Sequence, residues 1–114
     1  GKVEVIEEDL MDAVTAVSGS SPAFVYMMIE AMADAAVLLG MKRDKAYTFA
    51  AQAVLGAAKM VLETKEHPGI LKDKVCSPGG TTIEGVKELE EKNFRSAVID
   101  ASVAVAKKSK SMNK

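Results

Sequence analysis

The sequence has no tryptophan, two tyrosines and three phenylalanines, so aromatics make up only 4% of it. A core without aromatic bulk has to be filled by Ala, Val, Leu, Ile and the seven methionines. Such side chains suit closely packed helices better than a sandwich of strands. A single cysteine excludes an internal disulfide, and one cysteine with one histidine is too few for a zinc site. An excess of one charge is also missing: the formal net value of −1 gives no field to attract nucleic acid or an anionic membrane. No apolar run in the sequence approaches the length of a membrane span, and the opening GKVEVIEED lacks the features of a signal peptide. The expectation from these absences is a soluble cytoplasmic protein with no metal, no nucleic-acid partner and no membrane.

What is present is apolar material, 48% of 114 residues, enough for one domain and too much for wholesale disorder. A chain of this length buries about two-thirds of its surface on folding. The periodicity predicts about six helices and no strand. The first is expected from about Glu8 to Val17, with Leu10, Val14 and Val17 on one face. SGSSP is expected to break it, with Gly19 as a C-terminal cap, Ser21 as the next N-cap and Pro22 at a first helical position. The second helix then runs to about Leu39 and stops at Gly40, and the third covers Arg43 to Thr64. A short helix starts at Pro68 and reaches about Val75. Thr81 and Glu84 read as the capping box of a fifth helix ending near Asn93, and a last helix runs from Phe94 into the basic tail KKSKSMNK.

Two of these helices raise the question of a partner. From Phe24 to Leu38 only Glu30 and Asp34 are charged, and a helix apolar almost all round is normally buried on every side. A chain of this size can hardly do that alone, and a second subunit is the simpler solution. The third helix carries Ala50, Ala53, Gly56 and Ala57 along one stripe. Glycine inside a helix costs about 1 kcal/mol against alanine. Close approach of another helix at Gly56 and ordinary packing within the monomer explain the stripe equally well.

The stretch SPGGTT, Ser77 to Thr82, carries the most specific chemistry. Consecutive glycines ahead of a helix start offer unpaired N–H groups and the positive end of the helix dipole. Gly79 and Gly80 let the backbone approach a ligand, and Ser77, Thr81 and Thr82 add hydroxyls. Together these describe an anion cradle suited to a carboxylate or a single phosphate. No lysine follows the glycines, so a nucleoside triphosphate is not indicated. Taken alone, a plain helix–loop–helix connection is the simpler reading of the turn. VSGSSPAF has an even stronger claim to be a capped helix start. Cys76 reads as a small buried hydrophobe, His67 as a cap or a solvent-facing side chain, and KELEEK as a solvated face with helically spaced ion pairs. The tail lysines, Lys107, Lys108, Lys110 and Lys114, complement a helix C-terminus.

DAVTAVSGSSPAFVY, AAQAVLGAAKMVLE, HPGILKDKVCSPGGTTIEGVKELE and FRSAVIDA together resemble the C-terminal domain of the pyrroline-5-carboxylate reductases, from about Asp9 to Met112. The resemblance implies an all-α domain like that of the 6-phosphogluconate-dehydrogenase-like reductases, interlocked as a homodimer, with rings of dimers in some members. It implies that residues 1–8 are a linker remnant from a dinucleotide-binding domain and that residues 9–114 form the dimerisation and substrate-binding domain. The implied reaction is hydride transfer from NADPH or NADH to a cyclic imine, giving proline. By the same resemblance, Ser77 and the N–H groups of Gly80 and Thr81 hold the substrate carboxylate, and Gly79 counts with them as a substrate-binding residue. Thr82 offers its hydroxyl to the ring nitrogen and is the candidate catalytic residue. Asn93 departs from the family's glycine before FRS, and asparagine tolerates the left-handed conformation needed there. No Gly-x-Gly-x-x-Gly occurs in these 114 residues, so no cofactor is expected on them and the isolated chain is expected to be inactive. Two other readings stand beside this one: a structural dimerisation module whose anion turn is unused, and the same domain of a related imine reductase.

Overall fold

A computed structural model describes residues 10–112, which form five helices and no strand. Helix α1 is Met11–Leu38, α2 is Arg43–Thr64, α3 is Pro68–Lys74, α4 is Thr81–Glu91 and α5 is Phe94–Met112. The expected beginning of the first helix at Glu8 and the expected linker over residues 1–8 lie outside the described residues.

The expected break at SGSSP does not occur. The chain passes through it as a π-helical stretch, Thr15–Ser20, and continues without interruption from Ser21 to Leu38. Proline in a helix interior removes a donor and crowds the preceding turn, and a widened turn is one way to relieve this. In the π register the Val17 carbonyl faces position 22, where proline has no N–H to give. The Ser21 hydroxyl donates to that carbonyl instead, so Ser21 bonds backward into the helix and does not act as an N-cap. Ser18 Oγ to the Val14 carbonyl at 2.8 Å and Thr15 Oγ1 to the Met11 carbonyl at 3.0 Å reinforce the same stretch. Gly19 is therefore helical and caps nothing. By length and composition this uninterrupted helix is long and apolar enough to cross a membrane, contrary to the expectation from the broken reading. Glu30 and Asp34, charged and exposed along it, fit an aqueous protein surface better than lipid.

The described residues divide into two compact units, one joining the chain up to Tyr26 with the stretch from Asn93, the other Met27–Lys92. In the first, the start of α1 packs on α5. Ala16 is buried there, and Ser109 Oγ donates to Asp12 Oδ1 at 2.7 Å.

The second unit is built on small residues. Ala33 of α1 meets Ala46 and Ala50 of α2, with Ile29, Ala36 and Val37 around them. Gly40, at φ 106°, ends α1, its N–H donating to the Val37 carbonyl and the Met41 N–H to that of Ala36, both at 2.9 Å. This is a Schellman cap. Arg43 closes the corner on Asp34 and lies over the Tyr47 ring, 5.7 Å from its centre. The hydrogen bond to Asp34 raises the guanidinium pKa above its already high ordinary value. Helix α2 ends on Lys65 in the left-handed conformation, φ 57°. His67 then caps α3, its Nδ1 accepting from the Gly69 N–H at 2.9 Å, and Pro68 takes the first helical position.

Much apolar surface is left over. No large side chain among the described residues is fully buried, while Met27 is 66% exposed and Leu55 60%. The expectation that α1 is buried all round is not met within one chain. At Gly56 an added methyl group would meet nothing within 4 Å. The stripe divides accordingly: Ala50 belongs to the core of the chain, and Ala53, Gly56 and Ala57 do not.

Candidate functional site

Helix α3 is followed almost at once by the turn. The Cys76 N–H donates to the Asp73 carbonyl at 3.1 Å, and the Gly80 N–H to the Ser77 carbonyl at 3.0 Å. Ser77, Pro78, Gly79 and Gly80 thus form a hydrogen-bonded β-turn. Proline at its second position and Gly79 at φ 68° at its third carry the signature of type II, in which only glycine takes the third position without strain. Gly80 is extended, with φ −84° and ψ −178°, and is the N-cap of α4.

That position corrects the capping-box expectation. Thr81 is the first residue of α4, so it cannot cap the helix with its side chain toward Glu84. The N-cap is a glycine, which brings no side-chain oxygen to the first-turn N–H groups. A helix of eleven residues begins here with its dipole and its donors turned outward. The structure brings Ser77, Gly79, Gly80, Thr81 and Thr82 into this one short segment, exposed except for Gly80, which is half-buried.

Ser77 leans over the helix start. A methyl group built on Gly80 would overlap Ser77 Oγ and lie 3.2 Å from the Ser77 carbonyl oxygen. Gly80 is thus needed for the room it leaves the serine hydroxyl. Cα–Cβ bonds in a helix tilt toward its N-terminus, so the Thr82 β-carbon leans toward the turn. The segment can accept a small anion between backbone N–H groups and flanking hydroxyls. From Ser77 to Thr82 it holds no titratable side chain, and the one beside it is the half-buried Cys76.

Sequence reasoning left out two features beside the turn. Glu66 and Lys74 bracket α3 with an ion pair of 3.0 Å, at a spacing that no helical i,i+4 rule picks out. An apolar groove of about 410 Å³ lies between α2 and α3, lined by Met60 and Val61 on one side and Leu71 and Val75 on the other. Among the expectations for single residues, His67 does cap, KELEEK does contribute to a helically spaced pair, Lys87 to Glu91 at 3.7 Å, and Asn93 is left-handed at φ 61°.

Fold and turn together define an all-α domain with uncovered apolar faces and a glycine-capped helix start flanked by hydroxyls. Comparison with known proteins narrows the class. Residues 8–112 match the family model described as pyrroline-5-carboxylate reductase dimerisation, and the chain belongs to that family. It is 66% identical over 114 residues to the pyrroline-5-carboxylate reductase of Escherichia coli K12, covering all of this chain and 42% of that protein. The Arabidopsis thaliana pyrroline-5-carboxylate reductase is 51% identical over 113 residues, 99% of this chain and 41% of that one. Among solved structures, the Plasmodium falciparum pyrroline carboxylate reductase with NADP bound superposes with a TM-score of 0.94 at 38% identity, over all of this chain and 44% of the other. The Streptococcus pyogenes enzyme gives 0.93 at 40% identity, over 97% and 43%. The chain thus spans about two-fifths of the length of the curated relatives it matches.

Proposed function

We propose that these residues form the dimer-building and substrate-carboxylate-binding part of a cytoplasmic pyrroline-5-carboxylate reductase, which reduces 1-pyrroline-5-carboxylate to L-proline. The observation that carries the reading is the type II turn ending in a glycine N-cap, with Ser77 over the start of α4. In this reading the Gly80 and Thr81 backbone and the Ser77 hydroxyl hold the carboxylate, and the Thr82 hydroxyl meets the ring nitrogen. Hydride adds to the carbon of the C=N bond and the nitrogen ends as an amine. The carboxylate keeps its charge throughout.

NADPH or NADH supplies the hydride in the whole reductase. The described residues contain no strand and no Gly-x-Gly-x-x-Gly turn, so they do not fit a dinucleotide. We place the dinucleotide site on other residues of the reductase. The task left to this domain is orientation of the imine acid. The association partner proposed is a second copy of the chain, whose apolar surface would cover Met27, Leu38 and Leu55 and approach Gly56 closely. Rings of dimers would build on that unit.

The test is turnover of 1-pyrroline-5-carboxylate by the whole reductase with NADPH and with NADH. Consumption of at least one nicotinamide, with formation of proline, is expected. An enzyme that turns over another cyclic imine and leaves this one untouched would move the reading to a related reductase.

A further inference from the structure

We propose that Glu66 and Lys74 act as a pair that positions the carboxylate-holding turn, a reading that rests on the function proposed above. Helix α3 is seven residues long, well short of the length at which a helix is stable by itself. Its last residue, Lys74, is only three positions ahead of Ser77, and the Asp73 carbonyl already accepts from the Cys76 N–H. Any tilt or fraying at the end of α3 is therefore passed to the Ser77 hydroxyl and the Gly80 N-cap.

Two restraints hold α3. His67 caps its start, and Lys74 Nζ reaches back to Glu66, 3.0 Å from Oε2 and 3.3 Å from Oε1. Both carboxylate oxygens share the ammonium. The ordinary surface pair on a helix joins neighbouring turns, whereas this one ties the residue before the cap to the last residue of the helix. It is a strap across the whole element. Glu66 is also the less exposed partner, at 38% against 63% for Lys74, so the carboxylate is the fixed end.

A strap and a simple charge effect predict opposite results for one variant. If Lys74 only attracted the anionic substrate, removing the Glu66 charge would strengthen binding. If the pair positions the turn, Glu66→Gln weakens binding as Lys74→Met does. Exposed pairs contribute little, and a rise in KM of about 3-fold is the expected size. The experiment is steady-state kinetics of the whole reductase carrying Glu66→Gln, Lys74→Met, both together, Lys74→Arg and, as a reference, Ser77→Ala. We expect each single change to raise KM with kcat held within about 2-fold, the double variant to be no worse than either single, and Lys74→Arg to keep the parental KM. A lowered or unchanged KM in Glu66→Gln, or effects that multiply in the double variant, would overturn the strap. If Ser77→Ala raises KM while those changes do not, the strap alone fails. If Ser77→Ala has no effect either, the assignment of the turn as the carboxylate site fails with it.

Discussion

Ser77 Oγ occupies the space that a methyl group on Gly80 would take, while the Gly80 N–H donates to the Ser77 carbonyl at 3.0 Å. The two residues hold each other: the backbone bond closes the turn, and the missing side chain at 80 leaves space for the hydroxyl at 77. Gly80→Ala is therefore expected to act through the serine. The overlapping atom is the end of a rotatable side chain and can turn away, while the Ser77 carbonyl oxygen, 3.2 Å from the new methyl group, has to give by a few tenths of an ångström. Loss of the aimed hydroxyl should raise the KM of the whole reductase toward that of Ser77→Ala, about 10-fold or more. Thermal melting of the variant, expected within a few degrees of the parent, separates this from unfolding.

Thr82 is assigned to the ring nitrogen, whose charge and geometry change as hydride is transferred. Thr82→Val should lower kcat more than it weakens binding, because the hydroxyl acts on the nitrogen chiefly in the transition state. A hydroxyl is too weak an acid to be a convincing sole proton source, so the role assigned is positioning. Wild-type turnover with only KM changed would contradict this role.

At Gly56 the chain itself offers no obstacle to a side chain. In a free monomer Gly56→Leu should be stabilising by up to about 1 kcal/mol through helix propensity. In a dimer whose partner helix approaches that backbone, it should be destabilising by about 1–3 kcal/mol through overpacking. The sign decides between the two. We expect the parent chain to sediment as a dimer at micromolar concentration and the variant to dissociate more readily.

Ser109 Oγ donates to the half-buried Asp12 carboxylate at 2.7 Å, ninety-seven positions apart in sequence. Ser109→Ala leaves that carboxylate short of a donor and should cost about 1–2 kcal/mol in urea unfolding.

Much of this is legible in the sequence, and the misreadings have definite causes. The bounds Arg43–Thr64 are the same in sequence and structure, because Gly40 and the residues around His67 punctuate the helix unambiguously. SGSSP misleads because proline at a first helical turn and proline inside a widened helix leave the same letters. Only the direction of the Ser21 hydroxyl, back toward Val17, separates them. The capping box fails for a similar reason: Thr81 and Glu84 have the right spacing, but Gly80 already occupies the cap. The turn itself is legible because proline followed by glycine is the signature of type II, whereas its reading as a carboxylate site rests on the family resemblance. The Glu66–Lys74 strap is not legible, since Glu66 lies outside α3 and its approach to Lys74 depends on how the chain enters the helix at His67.

The central claim is that the Ser77–Gly80 turn holds the substrate's carboxylate, and Ser77→Ala in the whole reductase tests it most directly. The carboxylate carries the same charge before and after reaction, so its hydrogen bond with Ser77 contributes uniform binding. A charge-assisted hydrogen bond of about 1.5–3 kcal/mol corresponds to a rise in KM of roughly 10- to 100-fold with kcat little changed. That is the result expected from steady-state kinetics with the imine as varied substrate. An unchanged KM, or a fall in kcat with KM intact, would contradict it.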